Sequence, residues 1–397
     1  MARRLWWQRP MLRTDEDQDL ERKVSWLELF FDLYFVVVIA ELAHYLLGHL
    51  SWHGVGEFAF LFLPVWWIWI GATYYLERFE TEGVENRLFI FLQMIPIAGM
   101  AVFVHHGLGE TSVGFGAAYA IARTIQIFLW WRGGYHDPQF RPVARRFVTG
   151  FTLAVALFYI SLFVPSPVRF WLWGLGLFID MITPAFTIQQ QAKLPKFSTS
   201  KLPERYGLFM IIVLGESVLG VVQGVAARET LALPMAVIAI LGIALTFGIW
   251  WVYFDFIGRR APKSGTGWTF VWGYAHMPLA IAITAAGVGT QTLISDTDWI
   301  VQRNSGFLIG GAIGLALFMM GVLEFCLRHK PDEPTHPIWS PAMKLGAGVI
   351  AALVGGLSSG MYVLALQCCL MALIAVPMGY GMYVWFTQEL EEGELRG

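Results

Sequence analysis

The chain has little charge. Asp, Glu, Lys and Arg make up 14% of its 397 residues, against roughly 25% in soluble domains, which excludes an ordinary water-soluble globule. Its basic residues are scattered rather than gathered in a patch, and the formal net charge is -2, so no nucleic-acid partner is implied. Cysteine is scarce: Cys326, Cys368 and Cys369 are an odd number inside apolar segments. They have neither the spacing of a zinc or iron–sulfur site nor the pairing of a disulfide framework, and no metal or other cofactor is expected. Long polar segments are few, the longest being the first 23 residues and Gln189 to Arg205; none has the size of the soluble domain that a sensor or assembly factor carries. No G-x-x-x-x-G-K-[ST] loop occurs to bind ATP, and no H-E-x-x-H or D-D-x-x-D occurs to suggest metal-assisted hydrolysis or prenyl chemistry.

Apolar sequence is what the chain does have: 56% of residues are hydrophobic and the mean hydropathy is +0.57. A bilayer core about 30 Å thick needs roughly 20 apolar residues per helix. Twelve such runs recur, at 26–48, 57–77, 88–108, 111–131, 146–165, 168–188, 205–226, 232–256, 268–291, 306–327, 341–359 and 362–387. The pattern predicts an all-α integral membrane protein of about twelve transmembrane helices. The boundary between the last two runs rests on a weak turn signal, Ser358, Ser359 and Gly360. With the N-terminus inside, 23 of the 27 Lys and Arg residues fall on the cytoplasmic side, and only Arg169, Arg228 and Arg303 on the other, with Arg123 in mid-span. That asymmetry is the positive-inside pattern and places both termini in the cytoplasm. The twin arginine of MARRLWWQRP is followed by the polar stretch Thr14 to Lys23 rather than an apolar run, so the first run is expected to stay in place as a span.

PERYGLFMIIVLGESVLGVV can be laid on LELFFDLYFVVVIAELAHYL with Glu216 on Glu41. WWVYFDF in the eighth run answers WWIWIGATYY in the second, and His276 with Pro278 lies near the counterpart of Gln93 with Pro96. The order predicts two parallel six-helix repeats related by an axis along the membrane normal. The expected layout is a cytoplasmic segment 1–23, a first repeat 24–190, a linker 191–203, a second repeat 204–388 and a cytoplasmic tail 389–397. The segments LELFFDLYFVVVIAEL and ERYGLFMIIVLGESVLGV resemble the two signature segments of the bacterial low temperature requirement A (LtrA) family, and the resemblance covers the chain from about Val24 to Phe386. It implies a multi-pass protein of the bacterial inner membrane in a family named for a growth phenotype, and it carries no reaction with it.

Charged side chains at membrane depth are costly and usually face a bundle interior, a partner or a water-filled cavity. Ser25, Trp26, Leu27, Glu28 reads as a capping box, which gives Glu28 a structural role, and Glu204 after Pro203 suits a first helical turn. Asp32 lies four residues past Glu28 on the same face and is too deep for a cap. Glu41, nine residues further on, points nearly the opposite way, with His44 close to its face, so the first helix is expected to be buried on most sides. Glu216, within LGES, is flanked by Gly215 and Ser217, small residues that let a helix or ligand come close. Glu41 and Glu216 are the expected acid pair, and Arg123 the cation that neutralises them, as an architectural salt bridge or as part of a site for substrate, ion or proton. Asp180 lies deep in the sixth span, and Asp255 near a cytoplasmic end. His276 reads either as a proton carrier or as a core histidine bonded to a carbonyl freed by Pro278. The tryptophans Trp66, Trp67, Trp69, Trp250 and Trp251 read as packing or as a cavity lining for an apolar or cationic solute.

The substrate- or ion-binding set expected from these residues is therefore Asp32, Glu41, His44, Arg123, Asp180, Glu216 and His276, in an ion-coupled secondary transporter acting on an unidentified small solute or ion. The alternatives are a lipid- or isoprenoid-handling intramembrane enzyme and a haem protein using His44 and His276 as axial ligands. Membrane lipids are the expected surroundings, and self-association is left open.

Overall fold

The computed structural model describes residues 7–13, 24–80, 83–198, 200–228, 232–295, 299–329 and 335–387. The twin arginine and the expected tail 389–397 lie outside them. In hydrocarbon the backbone must satisfy its own polar groups, and the apolar runs do so as helices: α1 Trp26–Gly48, α2 Trp52–Arg78, α3 Val84–Val104, α4 Ser112–His136, α5 Arg141–Ser161, α6 Val168–Ile182, α7 Ile188–Gln191, α8 Lys201–Ala226, α9 Leu233–Phe256, α10 Thr266–Ser295, α11 Arg303–Cys326, α12 Trp339–Leu357 and α13 Val363–Thr387. Among the described residues, eleven helical stretches are long and apolar enough to cross a membrane, α6 and α7 counting as one stretch. The 23-residue α1, with its three acids, completes the twelve.

Helix starts move where a cap or a side-chain-bonded turn lies upstream of the apolar run. The Ser51 hydroxyl accepts from Gly54 N at 3.0 Å and begins α2 at Trp52. Asp137 accepts from the amides of Gln139 and Phe140 and brings α5 back to Arg141. α6 tightens into a 3-10 turn over Thr183–Thr187, where Pro184 has no N–H to give. The weak turn at Ser358 is real: its hydroxyl donates to Gly355 O, Gly360 takes a φ of +86°, and α13 begins at Val363. Two residues near the N-terminus, Met11–Leu12 (β1), pair antiparallel with Phe79–Glu80 (β2) at the end of α2, and Arg13 bonds Glu77 at 3.0 Å.

The chain divides into two compact units. The first holds residues 1–213 with 264–273, the second 214–263 with 274–397. In the first, α3 packs on α1 and α4, α4 on α5, and α5 on α6. In the second, α11 and α12 form the closest pair, and α13 packs on α9 and α12. Gly306, Gly310 and Gly314, four residues apart, make that approach possible: a Cβ on Gly310 would lie 2.3 Å from Gly355 Cα. Small residues at such spacing let helix backbones meet in a membrane. Gly310→Leu is accordingly expected to lower the yield of monodisperse protein in size-exclusion chromatography several-fold. Gly346→Leu, where a Cβ meets nothing within 4 Å, leaves it unchanged.

Candidate functional site

The acids that open α1 meet the bases that open α8. Glu28 and Asp32 are four residues apart, as are Lys201 and Arg205, so each pair lines one helix face. The faces close on each other. Lys201 Nζ lies 2.8 Å from Glu28 Oε1, Arg205 Nη1 lies 2.8 Å from Glu28 Oε2, and Arg205 Nη2 reaches Asp32 Oδ1 at 3.3 Å. Trp69 of α2 donates its indole N–H to the same Asp32 oxygen at 2.9 Å. All four charged residues are buried, Asp32 and Arg205 to 1% exposure. The casing is aromatic: Trp69 lies 4.3 Å from Phe209, 5.0 Å from Tyr206 and 5.0 Å from Trp66, ring centre to ring centre, and Tyr206 4.4 Å from Trp272. Low local dielectric strengthens every ionic contact inside and raises the cost of any polar group left unpaired.

Three polar atoms in this shell are left unpaired. Among the described residues, Asp32 Oδ2, Arg205 Nε and Trp66 Nε1 are buried without a hydrogen-bond partner. An acceptor and two donors, on side chains that touch one another or the same aromatic neighbours, give the cluster unused capacity to hold a proton, an ion or a polar group.

The first-unit network around Arg123 is built differently. Arg123 holds both oxygens of Asp180, Nε to Oδ2 at 2.9 Å and Nη2 to Oδ1 at 2.5 Å. The Tyr119 hydroxyl donates to Asp180 Oδ2 at 2.7 Å. Gln126 accepts from Arg123 and passes its amide N–H groups to Ile68 O and Gln93 Oε1. No polar atom of Arg123, Asp180, Tyr119 or Gln126 is left over. The cation expected to serve Glu41 and Glu216 is thus committed to Asp180 of α6.

Glu41 and His44 sit together at 3.8 Å, one helical turn apart, each side chain 37% exposed, so α1 is not enclosed at this end as expected. Glu216 is buried. Its neighbour Ser217 does receive a helix: a Cβ on Gly287 of α10 would lie 2.7 Å from Ser217 Cα, and the serine hydroxyl bonds Ile283 O at 3.0 Å. Gly215 is open. His276 is fully buried, its Nε2 3.0 Å from the Tyr253 hydroxyl. Asp255 is exposed at the end of α9. Glu28 does meet its expected cap, Ser25 Oγ accepting from Glu28 N at 3.3 Å, while its carboxylate goes to the ion pairs. Glu204 lies exposed in the first turn of α8. Trp66, Trp67 and Trp69 are buried; Trp250 is 39% exposed.

The second unit contains a buried ion pair that sequence inspection passed over. Lys344 Nζ lies 2.9 Å from Glu324 Oε2 and 3.0 Å from Ser340 Oγ, over the ring of Phe256 at 3.4 Å. Gly356 to Gly360 also matches G-x-S-x-G, the spacing of a nucleophile elbow. Its Ser358 is buried at the end of α12 with the hydroxyl spent on Gly355 O, which is a cap and not a nucleophile.

Fold and site together define a polytopic helical membrane protein with buried ion-pair arrays. The chain belongs to the bacterial low temperature requirement A (LtrA) family, whose sequence model matches residues 23–381. It is also similar to the uncharacterized protein RA0937 of Rhizobium meliloti (strain 1021), 26% identical over 323 residues that span 76% of this chain and 77% of that protein.

Proposed function

We propose that the protein is an ion-coupled secondary transporter of the bacterial inner membrane, with both termini in the cytoplasm, and that Asp32 carries the coupling proton or cation. The observation behind this is the unpaired Asp32 Oδ2 beside Arg205 Nε and Trp66 Nε1. A buried salt bridge is repaid best when its remaining donors and acceptors are also satisfied; the Arg123 network is closed in this way, and the Asp32 cluster keeps a carboxylate oxygen open beside two donors. Glu28, Asp32, Lys201 and Arg205 sum to zero charge. A proton arriving at Oδ2 cancels the attraction of Asp32 for Arg205, leaves Arg205 to Glu28, and loosens α1 from α8. Glu216, and His276 with Tyr253, are the corresponding titratable groups of the second unit in this reading. In the two-repeat reading, WWVYFDF on WWIWIGATYY puts Tyr253 on Trp69, and each bonds a buried titratable side chain, His276 and Asp32. Glu41 with His44 would then lie on the route beyond the cluster.

The solute is sought by thermal shift of purified protein against solutes, cations and lipids, because a ligand of the folded state raises its apparent stability. The hit is then followed in proteoliposomes carrying an internal pH dye. Asp32→Asn, nearly isosteric, is expected to stay folded and lose at least tenfold in solute-dependent proton flux, with Glu216→Gln reduced as well. Wild-type flux in Asp32→Asn would refute the coupling role.

A further inference from the structure

We propose that a groove between the start of α5 and the end of α6 binds an anionic phospholipid. Its volume is about 470 Å³. Arg145 and Arg146 stand on one wall, Ile179, Ile182 and Phe186 on the other, and no acid among the described residues lines it. Arg145 is exposed, and its guanidinium makes no hydrogen bond or ion pair among the described residues. Arg146 donates through Nη1 alone, to Phe186 O and to Gln190 Oε1, which fixes it at the rim with its other N–H groups free. Two arginines lining one groove suit a phosphate, which arginine binds by charge and by paired N–H donors.

The apolar wall continues past the groove and decides in favour of a lipid. Trp171, Leu175, Phe178, Ile182 and Phe186 are all exposed, at spacings that put them on one face. At about 1.5 Å per residue in α6 and about 2.0 Å in the 3-10 turn the stripe runs about 24 Å, longer than the roughly 15 Å of hydrocarbon in one leaflet. An acyl chain laid on this stripe brings the phosphate of its headgroup to Arg145 and Arg146. The floor is held by close packing: a Cβ on Gly150 would lie 2.3 Å from Thr183 Oγ1, so α5 and the 3-10 turn cannot part without losing the groove. Basic pockets between transmembrane helices are a recurring form of anionic headgroup site.

The test is native mass spectrometry of delipidated protein with added phosphatidylglycerol, phosphatidylcholine of the same acyl chains, or inorganic phosphate. Phosphatidylglycerol is expected to be retained at least fivefold more than phosphatidylcholine. Arg145→Gln abolishes the preference, whereas Arg87→Gln, an exposed arginine of α3 at the same end of the first unit, keeps it. A photoactivatable phosphatidylglycerol is expected to label peptides containing 145–150 or 179–186. Equal retention of both lipids, an unaffected Arg145→Gln, or labelling confined to other helices would overturn the assignment. Full occupancy by inorganic phosphate with no gain from an acyl chain would reduce the groove to an anion site and overturn it too.

Discussion

Arg205→Met is expected to cost about 3–5 kcal/mol of folded stability, the range for removing one partner of a buried ion pair. The loss is large because Arg205 serves two carboxylates: Glu28 at 2.8 Å and Asp32 at 3.3 Å. Without it Glu28 keeps Lys201, but Asp32 keeps, among the described residues, only the Trp69 indole, a neutral donor. The stranded charge is that of Asp32, and adding Asp32→Asn to Arg205→Met should therefore recover more than half of the lost stability. Unfolding in mixed detergent and dodecyl sulfate, followed by tryptophan fluorescence, measures both variants. If Arg205→Met unfolds at the wild-type midpoint, the four charges do not hold α1 to α8. If the double variant is no better than the single, the deficit comes from lost packing around the arginine stem rather than from the carboxylate.

The acids of this cluster were legible in the sequence and their partners were not. Glu28 and Asp32 stand out because a bilayer-length run should reject them. Lys201 and Arg205 look ordinary, since basic residues before an apolar run are what the positive-inside rule expects. The apolar run of α8 starts at 205, but the helix starts at Lys201, and that one extra turn turns two scattered bases into an i, i+4 pair. The signal available was complementarity, acids four apart in one signature segment and bases four apart ahead of the other. Arg123 presents a similar case. It does lie in the middle of α4, but the sequence points to the conspicuous acids Glu41 and Glu216 as its partners. Asp180 lies in a helix of ordinary appearance, and only the packing of α4, α5 and α6 brings it to hand. Helix number was well determined because hydrocarbon leaves the backbone one economical conformation; helix ends were less so, because the Ser51 cap and the Asp137 turn lie outside the apolar runs.

Arg123→Met is expected to destabilise the first unit by about 3–5 kcal/mol as well, through the same cause, with Asp180 left charged and 0% exposed. The rescue separates the two networks. Replacing the pair by apolar residues in Arg123→Met, Asp180→Leu removes the charges together, but leaves the Tyr119 hydroxyl and Gln126 Oε1 without the partners they now have, at about 1–3 kcal/mol each. Adding Tyr119→Phe removes the first of these, so the triple variant should recover most of the stability, in line with the near-neutral exchange of buried ion pairs for apolar groups. It should also keep proton-coupled flux, because in this network every donor and acceptor is already spent on the fold. The Arg205→Met, Asp32→Asn variant, by contrast, should regain its fold and stay inactive. A triple variant that folds but has lost flux would bring Arg123 and Asp180 into the transport route and leave Asp32 as one station among several.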